Sequence, residues 1–188
     1  MEAARSKAKV VVVGAQAVGK RSLVRRSAFD PFDGRYVSTF GANVSKKEIV
    51  LPVRLRDGTF IDLILWTVDS LDLIRRRTSF VRGAAGIFAV CDATRKTSLD
   101  ELRGWTETVY GESGDVPIVL AVNKWDLADY RQVDASDAIE FVRGYDAEHF
   151  LTSAHTGENV EAAFQALGER IVMHRRIQLE RGAPQGPP

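Results

Sequence analysis

The stretch GAQAVGKRSL, Gly14 to Leu23, decides how this 188-residue chain reads. An apolar run, KVVVV at 9–13, precedes it, and a helical pattern over about 19–28 follows. Gly14, Gly19 and Lys20 carry the glycine and lysine spacing of a phosphate-binding loop, and strand–loop–helix is the context that loop requires. In such a loop, backbone N–H groups and a helix N-terminus form an anion cradle, while the lysine reaches the terminal phosphates. The residues assigned to phosphate are Gly14, Gln16, Ala17, Val18, Gly19, Lys20, Arg21 and Ser22. One position is out of character. Arg21 stands where a hydroxyl should hold a magnesium ion.

Outward from the loop, β-branched apolar runs alternate with helical patterns. SKKEIVLPVRL and TFIDLILW flank the turn signal RDG and predict an antiparallel hairpin. AAGIFAVCD (84–92) and VPIVLAV (116–122) are continuous apolar runs, as expected of strands covered on both faces. AEHFLTS (147–153) is a shorter last strand, and segments 97–110, 134–144 and 157–180 carry helical spacing. In the last of these, Val160, Phe164, Leu167, Ile171 and Val172 share one core-facing stripe. The alternation predicts an α/β three-layer domain, with a six-stranded, mostly parallel sheet and helices on both faces. Ligands in such sheets bind beyond the carboxyl ends of the strands, where every motif here falls.

Composition narrows the classes. Hydrophobic content of 45% and charged content of 27% are ordinary for a globular chain, and one domain over 1–181 accommodates the pattern. A net charge of +1 gives nucleic acid no electrostatic footing. Cys91 is the single cysteine, so no disulfide framework exists and a reducing setting is expected. No apolar leader, bilayer-length run, myristoylation glycine or C-terminal cysteine is present, which predicts a cytoplasmic chain without a lipid anchor. Residues 182–188 read as a disordered tail. His149, His155 and His174 lack metal-ligand spacing.

Two further motifs follow strands. In Asn123-Lys124-Trp125-Asp126, the Asp126 carboxylate can accept two hydrogen bonds from guanine N1–H and its exocyclic amine, which adenine cannot supply. Lys124 can lay its stem over the base, and Asn123 can tie the loops together. In Ser153-Ala154-His155, the Ala154 N–H can meet the guanine O6 while Ser153 braces the loop.

With these motifs in place, residues 8–180 resemble the Ras-like small GTPases, and the Rab-like branch especially. GxxxxGK, STFG at 38–41, SFVRGAAGIFAVCDAT at 79–94, NKWD at 123–126 and TSAHTGENVEAAF at 152–164 fall in the family's order and spacing. The resemblance implies a small G domain holding GDP or GTP. It implies an aromatic contact to guanine from Phe32 and a switch I threonine at Thr39, meeting magnesium and the γ-phosphate. It also implies protein partners at switch regions 30–43 and 68–80.

Three chemical roles then go missing together. Arg21 replaces the magnesium-ligating hydroxyl, and Ser22 is rotated from that direction by roughly 100° on a helix. Where the family runs WDTAGQE, this chain has Trp66-Thr67-Val68-Asp69-Ser70-Leu71-Asp72. Thr67 replaces a carboxylate that supports the metal, Ser70 replaces the glycine whose N–H meets the γ-phosphate, and Leu71 replaces the water-orienting glutamine. No catalytic residue is intact, and the expectation is very slow or absent hydrolysis, with magnesium in doubt.

Asp69 would face the same side as Thr67 in an extended strand and is the remaining candidate to recruit metal. Arg75, Arg76 and Arg77 read as a solvated helix face, with an arginine finger in cis as the other reading. Two placements are open to Arg21: beside the β-phosphate, supplying charge in place of magnesium, or turned to a carboxylate or solvent. Three functions stand against one another. They are a nucleotide-holding protein with weak hydrolysis, a nucleotide-independent pseudo-GTPase adaptor, and an active GTPase with a rearranged metal site. An ATPase would leave Asp126 unmatched against adenine.

Overall fold

The computed structural model describes residues 6–28, 38–40, 47–58, 60–76, 78–145 and 147–182. Among these residues seven strands form one sheet: β1 (Ser6–Val13), β2 (Ser38–Phe40), β3 (Lys47–Arg54), β4 (Phe60–Thr67), β5 (Gly86–Asp92), β6 (Ile118–Asn123) and β7 (Ala147–Leu151). Their spatial order is β2-β3-β4-β1-β5-β6-β7. From β4 through β7 every pairing is parallel, while β2–β3 and β3–β4 are antiparallel. The helices are α1 (Lys20–Ala28), α2 (Leu71–Arg76), α3 (Lys96–Asp100), α4 (Leu102–Ser113), α5 (Ala135–Arg143) and α6 (Val160–Gly182).

The continuous apolar runs are explained by two cores. In β1, Val10 and Val12 face a cluster with Leu23 and Val24 of α1 and Phe164, Leu167 and Ile171 of α6. Val11 and Val13 face the opposite cluster, with Leu102, Trp105 and Val109 of α4 and Phe141 of α5. A strand alternates its side chains between faces, so a strand under helices on both sides must be apolar at every position. Phe88 of β5 stacks on Phe164 with centroids 4.2 Å apart, fixing α6 against the sheet. Cys91 is buried in the second core, and burial beside Asp92 pushes its thiol up to about 12.

The hairpin forms as predicted, closing at Gly58, whose positive φ of 85° lets its N–H return to the Leu55 carbonyl. The strand count differs from the expected six. The addition is β2, which pairs Ser38, Thr39 and Phe40 with Ile49, Glu48 and Lys47 of β3. It satisfies backbone groups along an edge that β3 would otherwise expose. Three residues are too few to show a period-2 pattern, so nothing in their own order announces a strand. α6 reaches Gly182, one residue into the segment read as tail; the rest of that segment lies outside the described residues. Among the described residues no helix is long and apolar enough to cross a membrane.

The chain order reverses on the two sides of β1, so the loop after β1 sits at the topological switch point. The loops after β6 and β7 open on the same carboxyl edge.

Candidate functional site

The loop after β1 is shaped by backbone that few residues tolerate. Gly14 has φ 140° and Gly19 φ 98°, and Ala17 takes φ 63° between them. A Cβ on Gly14 would meet the Val90 carbonyl oxygen at 2.1 Å, and one on Gly19 would meet the Asn123 amide at 2.2 Å. Both glycines are therefore required by close approach as well as by conformation. Gln16 and Ala17 are exposed at the tip, while Val18 is buried in the α1–α6 core.

Lys20 opens α1 and is 5% exposed. Its Nζ donates to the carbonyls of Gly14 at 2.7 Å and Ala15 at 2.9 Å, so the ammonium is held inside the loop's curve. Burial lowers its pKa from the usual lysine value; Asp69 opposes that shift, and the Arg21 and Arg95 guanidiniums add to it.

The two base-loop motifs converge on the same loop through Asn123. Its buried side chain donates from Nδ2 to the Val18 carbonyl at 2.8 Å and accepts at Oδ1 from the Ala154 N–H at 3.1 Å. Three separate loops are thus tied by one amide. Ser153 is buried, and its Oγ accepts from the Thr156 N–H at 3.0 Å. Lys124 takes φ 64°, and its ammonium pairs with the Asp92 carboxylate at the end of β5. Burial alone would raise the Asp92 pKa, but hydrogen bonds from Lys124 and Thr94 outweigh it and hold the carboxyl below its ordinary value. Asp126 and His155 are exposed, and Trp125 is stacked under the Arg131 guanidinium at 3.7 Å. Phe32 lies outside the described residues.

The sequence matches the Ras family profile over residues 9–173. The chain belongs to the Ras family of small GTPases. It is 32% identical to the Ras-related protein Rab-8A of Bos taurus over 180 residues, which covers 95% of this chain and 84% of that protein. It is 31% identical to the Ras-related protein Rab-18-B of Danio rerio over 167 residues, covering 87% of this chain and 78% of that one. Guanine-nucleotide binding is the property this membership implies, and the cradle, Lys20 and the Asn123-tied loops fit such a ligand.

Among the described residues, the side chains at this Ras-family site do not make up a magnesium ligand set. At the position of the hydroxyl ligand, the Arg21 guanidinium forms an ion pair with Asp69. Asp69, the sequence's remaining candidate to recruit metal, is thereby engaged by a cation, and its other oxygen lies 4.0 Å from Lys20 Nζ. Thr67 ends β4 half-buried, paired in register with Val12. Thr39 sits in β2 opposite Glu48, three strands from β1, about 14 Å across the sheet. Among the described residues, no group of three His, Cys, Asp or Glu side chains could hold a metal ion. Ser22 is exposed on α1.

Leu71 opens α2 and packs with Ile74 and Val68 against the α4 core, 3.7 Å from where a Cβ on Gly104 would lie. The position that would orient water is part of an apolar contact. Two residues escaped the sequence reading. Asp92, which anchors Lys124, follows the apolar run 84–91 at a strand's carboxyl end, and that placement was an available signal. Arg95 stands immediately before α3 and donates from Nη2 to the Gln16 carbonyl at 2.6 Å. An arginine opening a short helix carries no such signal.

Proposed function

We propose that this Ras-family chain holds GDP or GTP, hydrolyses GTP very slowly or not at all, and acts on protein partners through regions 30–43 and 68–80. The reading rests on a division within one site. The groups assigned to guanine and phosphate are tied together by Asn123, whereas the metal and water positions carry Arg21 and Leu71. Phosphoryl transfer depends on positioning and on stabilising charge, so losing the metal ligands and the water-orienting amide together removes most of the apparatus. Asp126 and the Ala154 N–H select guanine over adenine in this scheme. Regulation then comes from partner binding more than from a hydrolytic clock, in a cytoplasmic setting and without nucleic acid.

The test starts from purified protein, denatured and chromatographed for released nucleotide, followed by single-turnover phosphate release from added GTP. Stoichiometric guanine nucleotide is expected, with release below about one tenth of the roughly 4 × 10⁻⁴ s⁻¹ of an unassisted family member. Release at or above that rate would restore the reading of an active GTPase with a rearranged metal site. The second reading, a nucleotide-independent adaptor, draws support from Lys20 and the Ala154 N–H. Both already have partners inside the protein. Absence of any guanine nucleotide, with none taken up on incubation, would favour it.

A further inference from the structure

We infer that nucleotide binding by this chain is independent of divalent cation: the phosphate charge is met by Lys20 together with the guanidiniums of Arg21 and Arg95. The inference rests on the reading that a guanine nucleotide binds here, and it assigns the chemistry that holds the phosphates.

Three cations surround one loop. Lys20 Nζ sits inside the curve, on the Gly14 and Ala15 carbonyls. Arg21 flanks it from the start of α1, joined to the carboxylate of Asp69 that also approaches Lys20 at 4.0 Å. Arg95 reaches the loop from α3, where Nη2 donates to the Gln16 carbonyl at 2.6 Å. Among the described residues, the buried Nε–H of Arg95 meets no acceptor, so one donor beside the loop lacks the partner that buried donors ordinarily have. Burial is the main cause that lowers the Lys20 pKa, and both guanidiniums add to it, which places their charge in the same small region.

Magnesium demands about six oxygen ligands in near-ideal octahedral geometry. The first residue that should supply one is Arg21, which has donors only and carries a like charge. Among the described residues, the carboxylate beside Lys20 and Arg21 is that of Asp69, which is already engaged. A divalent cation would enter a set of three positive side chains and one negative one, against electrostatic repulsion. A phosphate would enter with attraction. Arg21 and Asp69 are 61% and 53% exposed, so their pairing is weak and a multiply charged phosphate can take over the guanidinium. Guanidinium pairs with phosphate oxygens bidentately, which gives orientation as well as charge. Asp69 then serves as the resting partner that keeps Arg21 turned toward the loop.

The experiment loads the full chain with a fluorescent GDP analogue and follows its dissociation in millimolar magnesium and in excess EDTA. The expected rates agree within about two-fold. Arg21→Ala and Arg95→Ala should each speed release about ten-fold in both buffers, with far-ultraviolet dichroism unchanged. Arg21→Ser, which returns a hydroxyl to the position, should not recover the lost affinity in EDTA. Manganese added to the loaded protein should give the paramagnetic resonance spectrum of free ion. Release accelerated ten-fold or more by EDTA, or a protein-bound manganese spectrum, overturns the inference while leaving nucleotide binding intact. Unchanged release from both arginine variants overturns it as well. Failure to load in either buffer defeats nucleotide binding itself, and the inference with it.

Discussion

The side-chain amide of Asn123 donates to the Val18 carbonyl at 2.8 Å, across 105 residues of sequence. It joins the loop after β6 to the loop after β1, and its oxygen takes the Ala154 N–H from the loop after β7. One buried group therefore sets the spacing of these three loops.

Replacing that group should affect folding and binding together. Asn123→Ala removes the partners of the Val18 carbonyl and the Ala154 N–H, and leaving a buried polar group unpaired costs about 1–3 kcal/mol. We expect a urea midpoint lowered accordingly, and a guanine-nucleotide affinity reduced about ten-fold or more, since 1.4 kcal/mol corresponds to ten-fold. Titration of the folded variant with a fluorescent GDP analogue checks the second. An unchanged affinity would show that the loops hold their spacing without it.

Asp92 gives a pH dependence whose sign is fixed by its surroundings. Hydrogen bonds from Lys124 and Thr94 overcome its desolvation and hold its carboxyl below the ordinary value. The native state therefore binds fewer protons there than the unfolded chain. The resulting stability is complete above the unfolded value, near pH 4, and is lost as pH falls through the folded one. Urea midpoints measured from about pH 6 to pH 3 should fall for the wild type. In Asp92→Asn the fall should be shallower, because one titrating group has been removed.

The architecture was legible because its signals are local. KVVVV must be apolar throughout to meet both cores, and GAQAVGK names its own strand–loop–helix context. Asn123, Ser153 and Lys20 were legible for the same reason, since each sits in a short motif at a strand's end. What could not be read depends on partners distant in sequence. Arg21 had two open placements, and only the fold brings Asp69, 48 residues away, to its guanidinium. Arg95 reaches back 79 residues to Gln16 without any pattern to announce it. Strand β2 was missed because its pairing is determined by the free edge of β3 and not by its own sequence.

Gly14 is the most demanding position in the phosphate loop. Any side chain there faces the Val90 carbonyl oxygen at 2.1 Å, and φ of 140° is strained for an L-residue. Overpacking and backbone strain each cost about 1–3 kcal/mol, so Gly14→Ala should lose about 3 kcal/mol in total. For a chain of this size that is a drop in melting temperature of roughly 6–12 °C. Gly58→Ala, at a turn where a Cβ meets nothing within 4 Å, should cost less despite its positive φ. Thermal unfolding of both variants provides the comparison, and equal losses would mean that φ alone decides.

Leu71→Gln is the substitution that would restore the family's water-orienting side chain, and we expect it to restore nothing. The glutamine would open α2 at a position held by apolar contact with the α4 core, and the hydroxyl-ligand position and the supporting carboxylate position would still carry Arg21 and Thr67. Orientation of water without stabilisation of the developing charge leaves the larger share of the barrier untouched. Phosphate release should stay within about three-fold of the wild type, a change of under 1 kcal/mol in barrier. Stability should fall by about 1 kcal/mol as a partly buried leucine is exchanged for a polar side chain. Single-turnover release beside a urea titration separates the two effects. A hundred-fold gain in release would show that the missing glutamine, and not the missing metal site, is what holds hydrolysis back.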